Sequence, residues 1–379
     1  MNAQPYRETL PANWFYDPDQ YLRELQAIWY RDWICLGREE DWPATGDFSR
    51  VRIGDEQIFV TRAGDGALRA FHNTCRHRGS LLCEADSGNF GKGRIVCPYH
   101  AWSYALSGEL ERVPRATDAD DIRLEDFPLY RVALESWRGF VFVNLAAEPR
   151  SSLQDALAEE AGNVAAWPLE AVRKVHRAEH LLACNWKVFW ENYLECYHCP
   201  GVHPDLCRLV PIYRTGFMDY GDAGLEPDSQ RPHAMLRAGA TTWSMDGGTD
   251  LPWFDGLGEA DAERGMTFAS WAPTMFLVAH VDYVRTVRVM PLGPEQTRLI
   301  VDWYVHRDVL DHPSLDVEHL VAFGNQVVTE DARVCELNQQ GLRCGRHQHG
   351  VLLEVENYVH DFEQWVRQRL DTRTGEREQ

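Results

Sequence analysis

Four residues in the first third of the chain have the types and the spacing of a metal-binding cluster. Cys75 and His77 form a Cys-x-His pair, and nineteen residues separate it from the Cys-x-x-His pair of Cys97 and His100. For all four side chains to reach one point, each pair must lie at the tip of its own tight loop. The intervening and flanking residues are typical of such turns; they include Gly79, Gly88, Gly91, Gly93 and Pro98.

Two thiolates and two imidazoles are the ligands of a Rieske [2Fe–2S] centre, in which cysteines bind one iron and histidines bind the other. A tetrahedral zinc site can have the same ligand composition and is the alternative. Zinc motifs, however, more often pair like ligands, as in two cysteines followed by two histidines. The mixed Cys/His pairs therefore favour the iron–sulfur cluster.

A second candidate site lies in the segment Asn185–His203, which reads NWKVFWENYLECYHCPGVH. The pattern predicts a helix as far as Cys199, because Pro200-Gly201 cannot continue it. Apolar residues lie on nearly all sides of this helix, so it should be buried.

Polar side chains on a buried helix need partners, since burying them alone costs several kcal/mol. Glu191, Glu195 and His198 would share one stripe of the helix, with Asn192 beside them. His203 follows the break, where a loop could bring it back towards His198. The stripe therefore predicts a site with two histidines.

Two histidines and one carboxylate on one face of a metal are the ligands of non-heme Fe(II) oxygenases. The carboxylate is expected on the helix that follows Ser314. By helical projection at about 100° per residue, Asp331 lies near the centre of its apolar stripe and Glu330 lies on the flank. Asp331 is the predicted third ligand, and Glu330 is the alternative.

Other interpretations of these residues are less favoured. A buried histidine or aspartate is more often hydrogen-bonded within the core than bound to metal, but the cluster motif in the same chain favours metal. Cys196-x-x-Cys199, with Cys207 nearby, could bind zinc, although only one such pair is present. A weaker group, more typical of a surface loop, consists of Cys344, His347 and His349.

Composition limits the class of protein. The chain has 379 residues, enough for two or three domains. Its net charge of −20 argues against nucleic acid or an anionic membrane as a partner. No apolar run reaches the roughly 18 residues of a membrane span, and residues 1–10 lack the apolar core of a signal peptide. Ten cysteines in such a chain are expected to be thiols and metal ligands in the cytoplasm.

Element patterns predict four parts. Residues 1–36 form an N-terminal helical segment that packs on the second domain, residues 37–148 an all-β domain, residues 149–370 the second domain and residues 371–379 a polar tail. Helix starts are expected at Asp17-Pro18 and, as a capping box, at Ser151–Gln154. Strands are expected at 173–184, 275–279, 283–290 and 297–306, and two final helices at 314–342 and 354–370. The segment 215–265 is expected to be irregular, either disordered or a lid.

These features together resemble the catalytic α subunits of Rieske non-heme iron oxygenases over nearly the whole chain. The motifs that carry the resemblance are Asn73-Thr74-Cys75-Arg76-His77-Arg78-Gly79, Cys97-Pro98-Tyr99-His100-Ala101-Trp102, Asn185-Trp186-Lys187, Glu195-Cys196-Tyr197-His198 and Glu330-Asp331. The resemblance implies an α+β protein with an N-terminal all-β Rieske [2Fe–2S] domain. It also implies a C-terminal catalytic domain with an antiparallel sheet covered by helices.

By position, the resemblance implies that Cys75 and Cys97 bind the inner cluster iron. His77 and His100 would bind the exposed one. Ala101 stands where the family frequently has glycine, and the spacing between the two pairs is on the long side.

The resemblance further implies that His198, His203 and Asp331 hold a mononuclear Fe(II). Glu195 would link a cluster histidine of one subunit to His198 of its neighbour, and Asn192 would stand next to the iron. The usual assembly is a homotrimer, sometimes with β subunits. The bridging acid is commonly aspartate, and glutamate is most like the branch that acts on glycine betaine, stachydrine, carnitine and choline.

The activity implied is O₂-dependent hydroxylation of a small organic molecule, with N-demethylation of a quaternary ammonium compound favoured. A G-x-G-x-x-G fingerprint is absent from the sequence, so a separate flavin/iron–sulfur reductase is the expected electron source. Aromatic faces could bind the cation; candidates by location are Trp253, Trp271, Phe276 and Tyr283.

Three alternatives remain. The same machinery could hydroxylate or O-demethylate an aromatic acid. A pure Rieske electron-transfer protein needs only about the first 150 residues, and the predicted second metal site argues against it. A zinc-stabilised structural protein would lack sulfide and any absorption above 400 nm.

Overall fold

The computed structural model of the chain describes residues 7–375. Its strands, in chain order, are β1 (Arg7–Glu8), β2 (Ile34–Arg38), β3 (Asp47–Ile53), β4 (Glu56–Arg62), β5 (Leu68–His72), β6 (Ser87–Asn89), β7 (Arg94–Val96), β8 (Ser103–Ala105), β9 (Leu110–Arg112), β10 (Arg131–Trp137), β11 (Phe140–Asn144), β12 (Val172–Leu182), β13 (Met266–Trp271), β14 (Met275–His280), β15 (Tyr283–Gly293), β16 (Gln296–His306) and β17 (Val351–Leu352).

Most of the α-helices lie in the second half of the chain, where the two longest ones close it. In chain order, the α-helices are α1 (Pro18–Glu24), α2 (Leu153–Ala161), α3 (Trp186–Tyr193), α4 (Cys199–Val202), α5 (Pro204–Leu209), α6 (Glu259–Arg264), α7 (Val317–Leu342) and α8 (Asn357–Gly375). None of the described helices is both long enough and apolar enough to cross a membrane.

The chain divides into two compact units. The smaller unit runs from Trp29 to Ala156, and the larger unit combines the residues up to Ile28 with those from Leu157 onward. The sequence analysis placed its limits at 36 and 148 instead. The helical start of the chain thus belongs to the same unit as α3 and α7.

The smaller unit is built from antiparallel sheets. Seven strands pair in the order β2-β11-β10-β5-β4-β3-β6, and a second sheet has the order β7-β8-β9. The loops that carry the two Cys/His pairs connect β5 to β6 and β7 to β8. A core that includes Phe59, Phe71, Ile95 and Tyr104 packs beneath both loops and contains Cys75 and Cys97 themselves.

The larger unit has one five-stranded antiparallel sheet in the order β12-β16-β15-β14-β13. Helices α3 and α7 pack against each other, and they also contact strands of this sheet, α3 at β15 and α7 at β12. Strands β14, β15 and β16 are buried along almost their whole length because helices and irregular chain cover them. The α+β fold class predicted from the resemblance is confirmed.

Helix starts follow their capping residues. The side chain of Asp17 accepts from the N–H of Asp19 and caps α1, as the sequence predicts. At α2 the capping residue is Ser152, whose hydroxyl accepts from the N–H of Asp155 at 3.1 Å. The predicted box at Ser151–Gln154 was therefore placed one residue too early.

Three other features differ from the sequence-based expectations. The strand β13 was not predicted, although it follows directly after Gly265. The segment 215–265 has little regular structure, but it is not disordered, since Leu236 and Trp243 are buried in a core with Tyr213 and Phe323. Helix α8 continues beyond the predicted end at Leu370, and residues 376–379 of the predicted tail lie outside the described residues.

Candidate active site

The two Cys/His pairs of the smaller unit lie on loops with the same backbone design. The N–H of Gly79 donates to the carbonyl of Cys75 at 2.9 Å, and the N–H of Ala101 donates to the carbonyl of Cys97 at 3.0 Å. Both donors have left-handed backbone, with φ of 76° at Gly79 and 57° at Ala101. Alanine costs about 1–2 kcal/mol in this conformation, yet the turn is kept. The departure from glycine at Ala101 therefore leaves the loop intact.

The four side chains converge as a two-iron cluster requires. Cys75 and Cys97 are buried, whereas His77 and His100 are exposed above them. The Nδ1 atoms of the two histidines lie 3.2 Å apart. Two sulfurs at the inner side and two imidazole nitrogens at the outer side fit the mixed ligation of a Rieske [2Fe–2S] cluster.

A tyrosine lies within hydrogen-bonding distance of one of these sulfurs. The hydroxyl oxygen of Tyr104 is 3.2 Å from Cys75 Sγ and accepts from the N–H of Arg76 at 3.1 Å. Burial raises the pKa of Tyr104, so its hydroxyl stays protonated and can donate to the sulfur. Hydrogen bonds to cluster sulfurs are one of the factors that set reduction potentials. Trp102 stacks on the His77 ring with centroids 5.0 Å apart.

In the larger unit, the helix predicted up to Cys199 ends earlier. Asn185 caps α3 by accepting from the N–H of Lys187 at 3.0 Å, and the helix stops at Tyr193. Residues 194–198 leave the helix before α4 begins. Glu195 and His198 therefore lie on an unwound segment instead of a continuous helical stripe, and that part of the prediction was wrong.

This unwinding brings three predicted residues together. The Nε2 atoms of His198 and His203 lie 3.2 Å apart, and Asp331 Oδ1 is 2.9 Å from His203 Nε2. The distance from Asp331 Oδ1 to His198 Nε2 is 3.4 Å. These three side chains offer one group of ligand atoms close enough for a single metal ion, of the type that non-heme Fe(II) enzymes use.

Each histidine presents its other nitrogen to a carboxylate. The Nδ1–H of His198 donates to Glu195 Oε1 at 2.5 Å. The Nδ1–H of His203 donates to Glu330 Oε2 at 2.6 Å. Such carboxylate–histidine pairs fix the tautomer that leaves Nε2 free for a metal. Glu330, the alternative third ligand of the sequence analysis, faces Nδ1 of His203 and lies outside the ligand group.

Charges in this group stabilise one another. Burial opposes charge on His198, but hydrogen bonds with Asp331 and Glu195 raise its pKa to about 9. Burial likewise opposes ionisation of Asp331, yet hydrogen bonds from His198 and His203 hold the pKa of that carboxyl below its usual range. The carboxylates around the two histidines therefore favour bound positive charge, as a metal site requires.

The remaining predicted residues near the site have different surroundings. The amide of Asn192 lies 3.4 Å from the ring nitrogens of His198. Glu191 does not line the cavity that His198, His203 and Asp331 border; it lines a different cavity. Cys196 and Cys199 form a disulfide, where the sequence analysis expected thiols.

A small cavity, here called the inner chamber, lies directly against these ligands. Its volume is about 70 Å³, and its lining includes His198, His203 and Asp331. Six aromatic side chains also line it: Phe189, Tyr193, Tyr213, Trp243, Phe268 and Phe276. Of the four aromatic residues proposed from sequence, only Phe276 is among the lining residues. Trp243 and Phe268 were missed because they come from the irregular segment and from the unpredicted strand β13.

A larger cavity, the outer pocket, adjoins the inner chamber. Its volume is about 490 Å³, and it shares Tyr193, Met218 and Phe268 with the chamber. The shared aromatic walls make the outer pocket the natural approach for a small organic molecule.

A third cavity, of about 360 Å³, shares Asn192, Glu195 and His198 with the inner chamber and is lined by several acids. Glu191, Glu356 and Glu363 all face it. Burial raises the pKa of Glu363 to about 7. The charge of Glu356 raises this pKa further, whereas the charge of Arg367 lowers it. Burial and the charge of Glu363 also raise the pKa of Glu191 well above its ordinary value.

Glu363→Gln is expected to stabilise the protein at alkaline pH. Because folding raises this pKa, the folded state binds the proton more tightly, and stability falls as pH rises from about 4.5 through 7. Removing the ionisation should add about 3 kcal/mol to the free energy of unfolding at pH 8. Urea unfolding at pH 5 and pH 8 measures this, with the exposed Asp361→Asn on the same helix as the control. An equal effect of Glu363→Gln at both pH values would contradict the assignment.

Comparisons with known proteins identify the family of each domain. The family description "Ring hydroxylating alpha subunit (catalytic domain)" matches residues 163–372, and "Rieske [2Fe-2S] domain" matches residues 32–129. The oxygenase subunit of glycine betaine monooxygenase from Chromohalobacter salexigens is 31% identical, over 94% of this chain and 84% of that protein. The chloroplastic choline monooxygenase of Beta vulgaris is 28% identical, over 96% of this chain and 77% of that protein.

Among solved structures, the quaternary ammonium Rieske monooxygenase CntA in complex with L-carnitine superposes with a TM-score of 0.69. The two chains are 22% identical over 95% of this chain and 96% of that one. Another CntA structure is described with inter-subunit electron transfer. At this identity the superposition supports the fold.

Fold and sites together define an iron-dependent oxygenase with a [2Fe–2S] cluster and a mononuclear iron, which uses O₂ as co-substrate. The chain belongs to the Rieske non-heme iron oxygenases, in the family of ring-hydroxylating α subunits.

Proposed function

We propose that this chain is the oxygenase component of a system that monooxygenates a quaternary ammonium compound. The observation that carries the proposal is the inner chamber, where six aromatic side chains surround the space beside His198, His203 and Asp331. Aromatic faces attract cations that cannot donate hydrogen bonds, and quaternary ammonium groups are bound in this way. The similarity to betaine and choline monooxygenases over most of the chain supports the same substrate class.

Each metal site is assigned to the residues that converge there. Cys75, His77, Cys97 and His100 hold the cluster. His198, His203 and Asp331 hold the mononuclear iron, with Nε2 of each histidine and Oδ1 of the aspartate as ligand atoms. The iron, when bound, supplies the site at which O₂ is reduced next to the substrate.

The side chains around the iron site have supporting roles. Glu195 and Glu330 accept from the Nδ1–H groups of the two histidines and keep their rings in one orientation. Asn192 lies beside His198 and faces the chamber. The aromatic walls exclude water from the reacting methyl group and orient the ammonium.

The reaction balances with O₂, two electrons and two protons. One oxygen atom enters a C–H bond of an N-methyl group, and the other leaves as water. The resulting N-hydroxymethyl group loses formaldehyde and a proton, which leaves a tertiary amine. The electrons come from a separate reductase, which we propose carries flavin and an iron–sulfur centre.

A homotrimer is the proposed assembly, in which the cluster of one subunit serves the iron of its neighbour. Glu195 supports this arrangement because it contacts His198 through Oε1 and is itself partly exposed. The inter-subunit electron transfer described for CntA is in keeping with it.

The test is a single-turnover assay on chemically reduced, iron-loaded protein with O₂, which removes the need for the reductase. A panel of quaternary ammonium compounds and aromatic acids is offered, and formaldehyde and hydroxylated product are measured. One ammonium compound is expected to yield product. His198→Ala should lose it while the cluster spectrum stays unchanged.

The matched control is His319→Ala, on the exposed first turn of α7 and outside the chamber lining. This variant should retain turnover. Product from an aromatic acid, with none from any ammonium compound, would replace the proposed substrate class by the alternative one.

A further inference from the structure

One buried arginine in the larger unit, Arg285, forms no ion pair with an acid among the residues that the structure describes. Arg285 on β15 is only 4% exposed, and the single hydrogen bond of its guanidinium within the described residues is a long one, 3.3 Å from Nη1 to the carbonyl of Gly324. Its Nε atom is buried with no hydrogen-bond partner. Arg288, on the same strand, is buried equally but pairs with Asp302 at 2.9 Å. A buried cation without a counter-charge is costly, so the arginine requires a reason.

The guanidinium is held in one place by packing. It lies over the ring of Trp243, 5.7 Å from the centroid. On its other side the backbone of α7 approaches closely at Gly324, where an added Cβ would lie 2.9 Å from Nη1. Glycine inside a helix costs about 1 kcal/mol relative to alanine, and here it makes room for the arginine. Packing against Trp243 and Gly324 therefore fixes the position and the direction of the guanidinium.

This charge faces the inner chamber. Arg285 lines the same cavity as His198, His203 and Asp331. The negative charge of Asp331 acts on Arg285, but a bound divalent iron would neutralise that charge. With iron bound, the arginine has no other acid to balance it among the chamber's lining residues except Glu195, which is hydrogen-bonded to His198.

We propose that Arg285 binds the carboxylate of the substrate, so that the substrate is a betaine, a quaternary ammonium compound that also carries a carboxylate. The inference rests on the proposed function and narrows it. The two ends of a betaine match the two kinds of chamber wall: the aromatic faces take the trimethylammonium group, and the arginine fork takes the carboxylate. A quaternary ammonium alcohol such as choline would leave the arginine unpaired.

The test compares glycine betaine with choline, which share the trimethylammonium group and differ in carboxylate against alcohol. Wild-type protein is expected to bind glycine betaine about 100-fold more tightly than choline, since an unpaired buried charge is the penalty for the alcohol. Binding is measured by the ligand-induced rise in melting temperature, and turnover by product formation in the single-turnover assay.

Arg285→Gln should weaken glycine betaine binding about 100-fold, with a much smaller change in the single-turnover rate at saturating substrate, and should leave choline binding unchanged or improved. Arg285→Lys should restore part of the affinity, since it keeps the charge without the fork. Gly324→Ala, which displaces the guanidinium from α7, should act in the same direction. The control is Arg298→Gln on the neighbouring strand β16, which lies outside the chamber lining.

The outcomes separate the two proposals. Equal affinity of wild-type protein for glycine betaine and choline would overturn the role of Arg285 and leave the proposed function standing. This comparison does not depend on whether any variant folds. Turnover of betaine that is insensitive to Arg285→Gln would also overturn it. Turnover of no ammonium compound would overturn the proposed function and this inference together.

Discussion

Asp331→Asn is expected to empty the mononuclear iron site and abolish turnover without affecting the cluster. The substitution keeps the size of the side chain but removes the anionic oxygen that lies 2.9 Å from His203 Nε2 and 3.4 Å from His198 Nε2. Substitution of groups that only orient ligands typically weakens metal binding 10–100-fold, so loss of a charged ligand should exceed about 100-fold. Iron content should fall by about one third, because the cluster keeps two of about three irons per chain. Iron and sulfide analysis after desalting measures this.

Two neighbours on α7 serve as matched controls. Glu330→Gln should weaken metal binding by about 10–100-fold and allow the site to fill at high iron, because its side chain contacts His203 Nδ1 and no metal-facing atom. Glu318→Gln, exposed in the first turn of the same helix, should change neither iron content nor turnover. If Glu330→Gln lost the iron and Asp331→Asn retained it, Glu330 would be the third ligand.

The cluster site could be predicted because its information is local. Residue types, the spacing inside each pair, and a glycine or its left-handed substitute four residues after each cysteine define both loops without any long-range contact. Asp331 could be identified for a related reason. It lies on the long helix α7, where the 3.6-residue period holds over many turns and an acid within the apolar stripe is evident.

The segment after Tyr193 could not be predicted in this way. Its apolar pattern continues past the end of α3, but Tyr197 is 56% exposed. At the break, Glu195 Oε2 accepts from the N–H of His198 at 3.1 Å, which supplies a partner that the helix would otherwise provide. Such side-chain to backbone bonds compete with helix formation, and their outcome depends on tertiary contacts that periodicity does not contain.

Glu330 and Arg285 show the same limit. Whether Glu330 reaches the metal or the far nitrogen of a histidine depends on the distance between α7 and the loop at His203, which no pattern in either segment specifies. Arg285 could have been recognised from the sequence as a candidate site residue, because it is a charged residue in the middle of the buried strand β15. A charge in such a position needs either an acid or a ligand.

The largest effect on stability is expected from Lys187→Met. Lys187 and Glu24 are both fully buried, and Nζ donates to the two carboxylate oxygens at 2.7 and 2.8 Å. Nζ also donates to the carbonyl of Trp14 and to Asn185 Oδ1. Removing the lysine leaves the carboxylate buried without its counter-charge, which should cost about 3–5 kcal/mol. Urea unfolding of the larger unit, followed by tryptophan fluorescence, measures the loss.

The double variant Lys187→Met/Glu24→Leu distinguishes this cause from loss of packing. If the unpaired charge is responsible, removing both partners should recover most of the stability, since apolar replacements of buried ion pairs are often neutral. Recovery should stop short of complete, because Trp186 Nε1 also donates to Glu24 at 2.8 Å and would lose its acceptor. Lys92→Met, at an exposed lysine of the smaller unit, should change stability by less than about 0.5 kcal/mol. A double variant as unstable as Lys187→Met alone would mean that the aliphatic stem of the lysine, and not its charge, supports the junction between α1 and α3.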